Sequence, residues 1–304
     1  MKTSPVSIIF SHLLLAVLLI VIFLPGAARQ TAPPAAMLWM IALAECYYLW
    51  RLRPSRRDYG AAGDLACILW LFLLLWEIFT TKLNKLHPVL FPSPENVFNV
   101  FFTQYPVLLG GVFSSLQLLA LGLAAGLGLG VILGLTAGWV RRLTGIFHPL
   151  AQVLTPIPPV IYAPYLVAIM PTFRSASALI IFLGIFWPTF LHMIIRARSV
   201  EPKILDSARA LGMEGSEMVL QILLPYVLPD VISNLKVTLS TSIMLLLFAE
   251  MMGATSGMGY YIINYVHYAN YTNVVAGIIL VGLVVTVLNK LVGVVQKRAI
   301  KWRR

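Results

Sequence analysis

Residues able to do chemistry are few in this sequence, and they stand apart. His12, His87, His148, His192 and His267 form no HExxH and no pair at ligand spacing, and Cys46 and Cys67 form no CxxC. A catalytic metal, a membrane hydrolase and a redox dithiol are therefore not expected. No GxxxxGK[ST] occurs, nor any Gly-Lys dipeptide, so hydrolysis of ATP on a P-loop is not expected of this chain. Glu250, followed by Met251 and Met252 at the end of an apolar run, is an ionisable group at membrane depth, which makes it a functional candidate. Near the outer interface it could equally snorkel or cap a helix. Tyr260 and Tyr261 begin an aromatic stretch, GYYIINYVHYANY, that suits a headgroup belt. One dense polar segment is left: residues 201–225, EPKILDSARALGMEGSEMVLQILLP, with six charged side chains between apolar runs.

The elements that must position these residues are membrane helices. Of 304 residues 60% are hydrophobic and 11% charged, where a soluble domain carries roughly 25% charged. The fold class is an all-α polytopic membrane protein of about eight transmembrane helices, with candidate spans 6–25, 36–50, 65–81, 107–139, 146–170, 177–196, 225–250 and 273–296. The first span follows Lys2 and ends in Pro25-Gly-Ala-Ala, which resembles a signal peptide; a retained anchor is the expectation. With the N-terminus inside, only Arg29, Lys82, Lys85 and Arg174 of the 22 Lys and Arg fall outside. This bias places both termini in the cytoplasm. The net charge of +11 then describes topology, and a nucleic-acid partner is not implied.

Three patterns refine the spans. Gly122, Gly126, Gly130, Gly134 and Gly138 recur every four residues, which puts them on one helix face where a neighbouring backbone can come close; a sliding interface is the alternative. TPIPPVIYAPYL removes four backbone donors within a span, so a kinked and buried helix is expected, with lining of the solute pathway as its candidate role. Pro94 followed by ENVFNVFF predicts a short helix whose Phe98, Phe101 and Phe102 sit at the interface. Residues 1–64, with two apolar helices and the basic loop RLRPSRRDYG, read as an addition to a continuous unit over 65–296, and 297–304 as a basic cytoplasmic tail.

The polar segment lies on the cytoplasmic side in this topology. LDSARALG has helical propensity up to Gly212, which can end the helix with a left-handed residue, and MEGSEMVLQILLP resumes with apolar positions, giving a compact knob. Its spacing resembles the EAA loop of ABC-importer permeases, the binding-protein-dependent transport family: E-A-A, three residues, G, nine residues, I-x-L-P. Asp206, Ser207 and Ala208 stand for E-A-A, Gly212 follows, and Ile222, Leu224 and Pro225 complete the pattern, with Asp for Glu and Ser for Ala as its departures. FPSPENVF, PIPP, SVEPKILDSARALG and AEMMGATSGMGYYI, in that order, look like the nitrate/sulfonate/taurine-type branch, over about residues 65–296.

The resemblance implies a type I permease core with extra N-terminal helices, in a bacterial-type cytoplasmic membrane. It implies a pathway formed with a second copy, and loops 201–225 docked in grooves of separate ATP-binding subunits, which hold the ATP and Mg. It also implies an extracellular or periplasmic binding protein that delivers the solute. On this reading Asp206 and Arg209 make polar contacts to the ATPase, Gly212 is a steric requirement, and Glu250, Met251, Met252, Tyr260 and Tyr261 belong to the pathway or outer gate. The alternative is a transporter driven by an ion gradient, for which only Glu250 offers a coupling carboxylate and no inverted repeat is visible.

Overall fold

A computed structural model describes residues 5–26, 29–52 and 59–299, and among them there is no strand. In chain order the helices are α1 (Pro5–Phe23), α2 (Ala35–Arg51), α3 (Tyr59–Glu77, extended by a π-turn over Ile78–Lys82), α4 (Pro94–Thr103), α5 (Tyr105–Trp139), α6 (Arg141–Leu154), α7 (Pro159–Ile169) and α8 (Phe173–Arg198). Then follow α9 (Pro202–Ala210), the single turn α10 (Gly215–Glu217) running through a π-turn (Met218–Leu223) into α11 (Leu224–Met251), α12 (Met258–His267) and α13 (Tyr271–Ala299).

Among the described residues, six helices are long and apolar enough to cross a membrane, and a seventh crossing arises if α6 and α7 are taken together. The difference from eight is α2. Its 17 residues make about 26 Å of helix at 1.5 Å per residue, short of the roughly 30 Å of a hydrocarbon core.

One compact unit comprises Met1–Leu108 and Ile262–Ile279. Its core gathers Leu18, Met37, Trp70 and Phe98 from α1 to α4. Phe98 is thus a core residue, 8% exposed, where the sequence suggested an interface anchor, while Phe102 is exposed. The reason is helical spacing: Pro94, Val97 and Phe98 share the buried face of α4. Polar straps close one end of this unit. Lys82 Nζ donates to the carbonyls of Ile22 and Leu24 at 3.0 and 2.9 Å and sits 3.2 Å from the wholly buried Glu77 carboxylate. Arg29 donates to the carbonyls of Thr80, Pro88 and Phe91. Burial pulls its guanidinium below the ordinary value, and the neighbouring Glu95 partly offsets this.

The second unit comprises Leu109–Tyr261 and Leu280–Arg304. Its spine is the glycine face of α5. A Cβ on Gly122, Gly126, Gly130, Gly134 or Gly138 would meet Ile181, Ile185, Thr189, Met193 or Ala197 of α8, at 2.6 to 2.9 Å. These are five rungs at four-residue steps on both helices, so α5 and α8 run in the same direction with their backbones as close as glycine allows. Two helices that cross in the same sense require the chain between them to cross back. This makes α6 and α7 one broken crossing, bent by 97° at Thr155–Pro158, where prolines withhold their donors. The kink is as expected, but the burial is not: Ile161, Tyr165 and Ile169, one face of α7, are 71%, 68% and 55% exposed on the single chain.

Candidate functional site

The segment 201–225 forms a knob seated on the ends of α5 and α8. Pro202 at the first turn starts α9, where its missing N–H costs nothing. Gly212, at φ +79°, stops the helix. Gly212 N donates to Arg209 O at 2.9 Å and Met213 N to Ala208 O at 3.1 Å, the paired bonds of a Schellman turn, whose left-handed residue is best supplied by glycine. No heavy atom beyond its chain neighbours lies within 4 Å of a Cβ built on Gly212, so within this chain the glycine serves the turn.

The inner face of the knob is apolar. Val219, Leu223 and Val227 pack with Val131 and Leu135 of α5 and with Met193, Ala197 and Val200 at the end of α8, joined by Leu205 and Leu224. Arg209 also lies over the Trp139 ring at 5.8 Å, within the range of a cation–π contact. The outer face is polar and solvated. Asp206 and Arg209 are exposed and pair with each other at 3.1 Å. Ser207 bonds back to Lys203 O at 2.8 Å, and Ala208 is buried against the seat. Ile222 and Leu224 are half-buried and Pro225 is exposed.

Two residues outside the motif are as prominent as those within it. Leu223, the free position of I-x-L-P, is completely buried and anchors the knob, whereas Leu211 is 77% exposed at its tip. The apolar positions Val219, Leu220, Leu223 and Leu224 mark Leu223 in the sequence as suited to packing, and it does pack; Leu211 is marked only by preceding the turn glycine. The second helix expected for the knob is no separate element either. Gly215–Met251 is a continuous helical run, with its π-turn just before Pro225.

A second polar group lies at the other end of α11. Glu250, wholly buried, accepts from Ser115 Oγ at 2.5 Å and from Gly259 N at 2.7 Å. Ser115 Oγ in turn accepts from Met258 N at 2.8 Å. Both amides belong to the first turn of α12, where orphan N–H groups and the helix dipole favour a carboxylate. A Cβ on Gly257, at φ +126°, would run into the same carboxylate. Glu250 thus organises the turn 252–258. Met251 and Met252 are exposed beside it, Tyr260 is half-buried and Tyr261 buried.

Similarity to known proteins decides the family. The profile of the binding-protein-dependent transport system inner membrane component matches residues 126–304, from mid-α5 to the C-terminus. The chain belongs to this family. It is therefore an ABC-importer permease, of a kind whose ATPase is a separate subunit. A candidate aliphatic sulfonates transport permease protein of Bacillus subtilis (strain 168) is 27% identical over 257 residues, 83% of this chain and 92% of that one. The taurine transport system permease protein of Escherichia coli (strain K12) is 25% identical over 260 residues, 83% and 93% of the two chains. A nitrate import permease protein of Leptolyngbya laminosa is 28% identical over 193 residues, 62% and 68% of the chains. These relatives place it in the sulfonate/taurine/nitrate branch. An inward-facing structure of the MetNI methionine ABC transporter shares the fold, with a TM-score of 0.55 at 18% identity, covering 65% of this chain and 98% of the other.

Proposed function

We propose that this permease works as a homodimer, importing a small solute of the nitrate, sulfonate and taurine class. In this reading each knob 201–225 docks in a groove of a separate ATP-binding subunit, which holds the ATP and Mg. A binding protein delivers the solute outside, and closure of the two ATPases moves the knobs and switches access to the pathway. The observation that carries the reading is the construction of the knob. A solvated face bearing Asp206, Arg209 and the exposed Leu211 is held by a Schellman turn on an apolar seat that joins it to α5 and α8. A push on that face has a rigid path into the membrane.

The core is residues 65–296, preceded by the added helices of 1–64 and followed by the cytoplasmic tail 297–304. Glu250, Met251, Met252, Tyr260 and Tyr261 lie at the outer gate, with Glu250 holding its backbone. The protein resides in a cytoplasmic membrane with both termini inside. The test is purification of the tagged chain from its native membranes, with identification of co-purifying proteins by mass spectrometry. An ATP-binding subunit recovered with the native chain but lost with Leu211→Asp, at unchanged membrane insertion, is the expected result. Recovery of no ATP-binding subunit with the native chain would overturn the reading.

A further inference from the structure

Polar side chains on transmembrane helices that have no partner in the chain face a water-filled cavity or the bundle interior, because a lipid-facing position leaves them unsatisfied. Among the described residues, Thr189 and His192 on α8 and Asn234 on α11 are such groups: none of the three side chains forms a hydrogen bond within the chain. They are not scattered. With Thr238 they line one cavity of about 240 Å³, whose apolar walls are Leu127 of α5, Pro188 and Met193 of α8 and Val231 of α11. It lies within the helical spans towards the knob, level with Gly130 and Gly134 of α5, which face Thr189 and Met193.

Two features tie this cavity to transport. First, Met193 and Val231 also belong to the cluster that seats the knob, so displacement of the knob deforms the cavity directly. Second, one turn towards the knob Arg196 of α8 pairs with Asp230 of α11 and lies 5.9 Å from the Tyr226 ring, holding α8 and α11 together below the cavity. The Arg196 Nε is buried without a partner, so this guanidinium keeps donor capacity in reserve. The cavity offers hydroxyl, imidazole and amide N–H or O–H donors and no carboxylate, which suits a small oxyanion.

We propose that Thr189, His192, Asn234 and Thr238 form a station for a small oxyanion on the solute pathway, closed on the knob side by the Arg196–Asp230 pair. This rests on the permease reading above and adds the chemistry of the path inside the membrane.

The test uses membranes carrying the whole transporter. Cys46→Ala and Cys67→Ala clear the background, and His192→Cys, Asn234→Cys and the control Val237→Cys, 69% exposed on α11 and outside the cavity lining, are made singly. Each is treated with 2-sulfonatoethyl methanethiosulfonate, itself a small sulfonate, and with its trimethylammonium counterpart. With each rate divided by that reagent's rate with a free thiol, cysteines at 192 and 234 are expected to favour the anion, as a cluster of hydrogen-bond donors without a carboxylate would, and the cysteine at 237 to show no preference. Inertness at 192 and 234 would place them against lipid and overturn the proposal. So would equal or faster reaction with the cation on that scale, or the same preference at all three positions. Recovery of an ATP-binding subunit from the same membranes tests the permease reading independently: labelling without it leaves the station standing and removes the ATPase, and the reverse removes only the station.

Discussion

Ser115 of α5 donates its hydroxyl proton to Glu250 of α11 across 2.5 Å, joining residues 135 apart in sequence. The same hydroxyl accepts from Met258 N, and the carboxylate from Gly259 N. One serine and one glutamate therefore satisfy both leading amides of α12. Ser115→Ala is expected to lower the thermal midpoint of the detergent-purified chain by the equivalent of about 1–3 kcal/mol, the cost of leaving buried polar groups unsatisfied. Gly257→Ala should cost more, since its Cβ meets the Glu250 carboxylate at a φ of +126°. Equal midpoints for native chain and Ser115→Ala would show that the network contributes nothing.

The glycine face makes a sharper contrast. A Cβ on Gly134 would stand 2.7 Å from Met193 Cβ and 2.8 Å from Phe190 O, whereas one on Gly128 meets nothing within 4 Å. Gly134→Val should push α5 off α8 and cost at least the roughly 1–3 kcal/mol of an overpacked core, seen as lost monodisperse yield in size-exclusion chromatography. Gly128→Ala should behave as native. A tolerated Gly134→Val would mean that the two helices slide, the alternative the sequence left open.

Much of this was legible because local rules and tertiary needs agreed. The four-residue glycine period fixes a face, and that face meets α8. The distance from Ala208 to Gly212 fixes a helix end, and the turn is there. What could not be read depended on distant partners. Nothing in AEMMGATSG identifies Ser115 as the partner of Glu250, and nothing in ENVFNVFF says that Phe98 meets Trp76, 6.2 Å away, instead of the membrane surface. Leu223 was legible as a packing position from its apolar spacing with Val219, but its seat on α5 and α8 was not.

At the knob, strain and docking can be separated. Gly212→Ala has room for its methyl group but must hold a φ of +79°, a cost of about 1 kcal/mol for an L-residue. Leu211→Asp costs the isolated chain little because Leu211 is 77% exposed. Thermal midpoints should fall for Gly212→Ala and stay level for Leu211→Asp, while recovery of the ATP-binding subunit should suffer more from Leu211→Asp. The opposite order would make the shape of the turn, not its apolar tip, the feature that the partner recognises.

The last prediction concerns the polar contacts between α1 and the end of α3. Glu77 is wholly buried, and Lys82 lies 3.2 Å from its carboxylate while capping the C-terminal carbonyls of α1. Removing one member of a buried pair strands the other, at about 3–5 kcal/mol, whereas removing both charges is often close to neutral. Lys82→Met should therefore be severely destabilised, and Lys82→Met combined with Glu77→Gln should recover most of the loss in thermal midpoint. The recovery should be incomplete, because the double variant still lacks the two bonds from Lys82 to Ile22 and Leu24 that tie α1 to α3. A double variant as unstable as Lys82→Met would assign the whole effect to those carbonyl bonds and none to the buried charge.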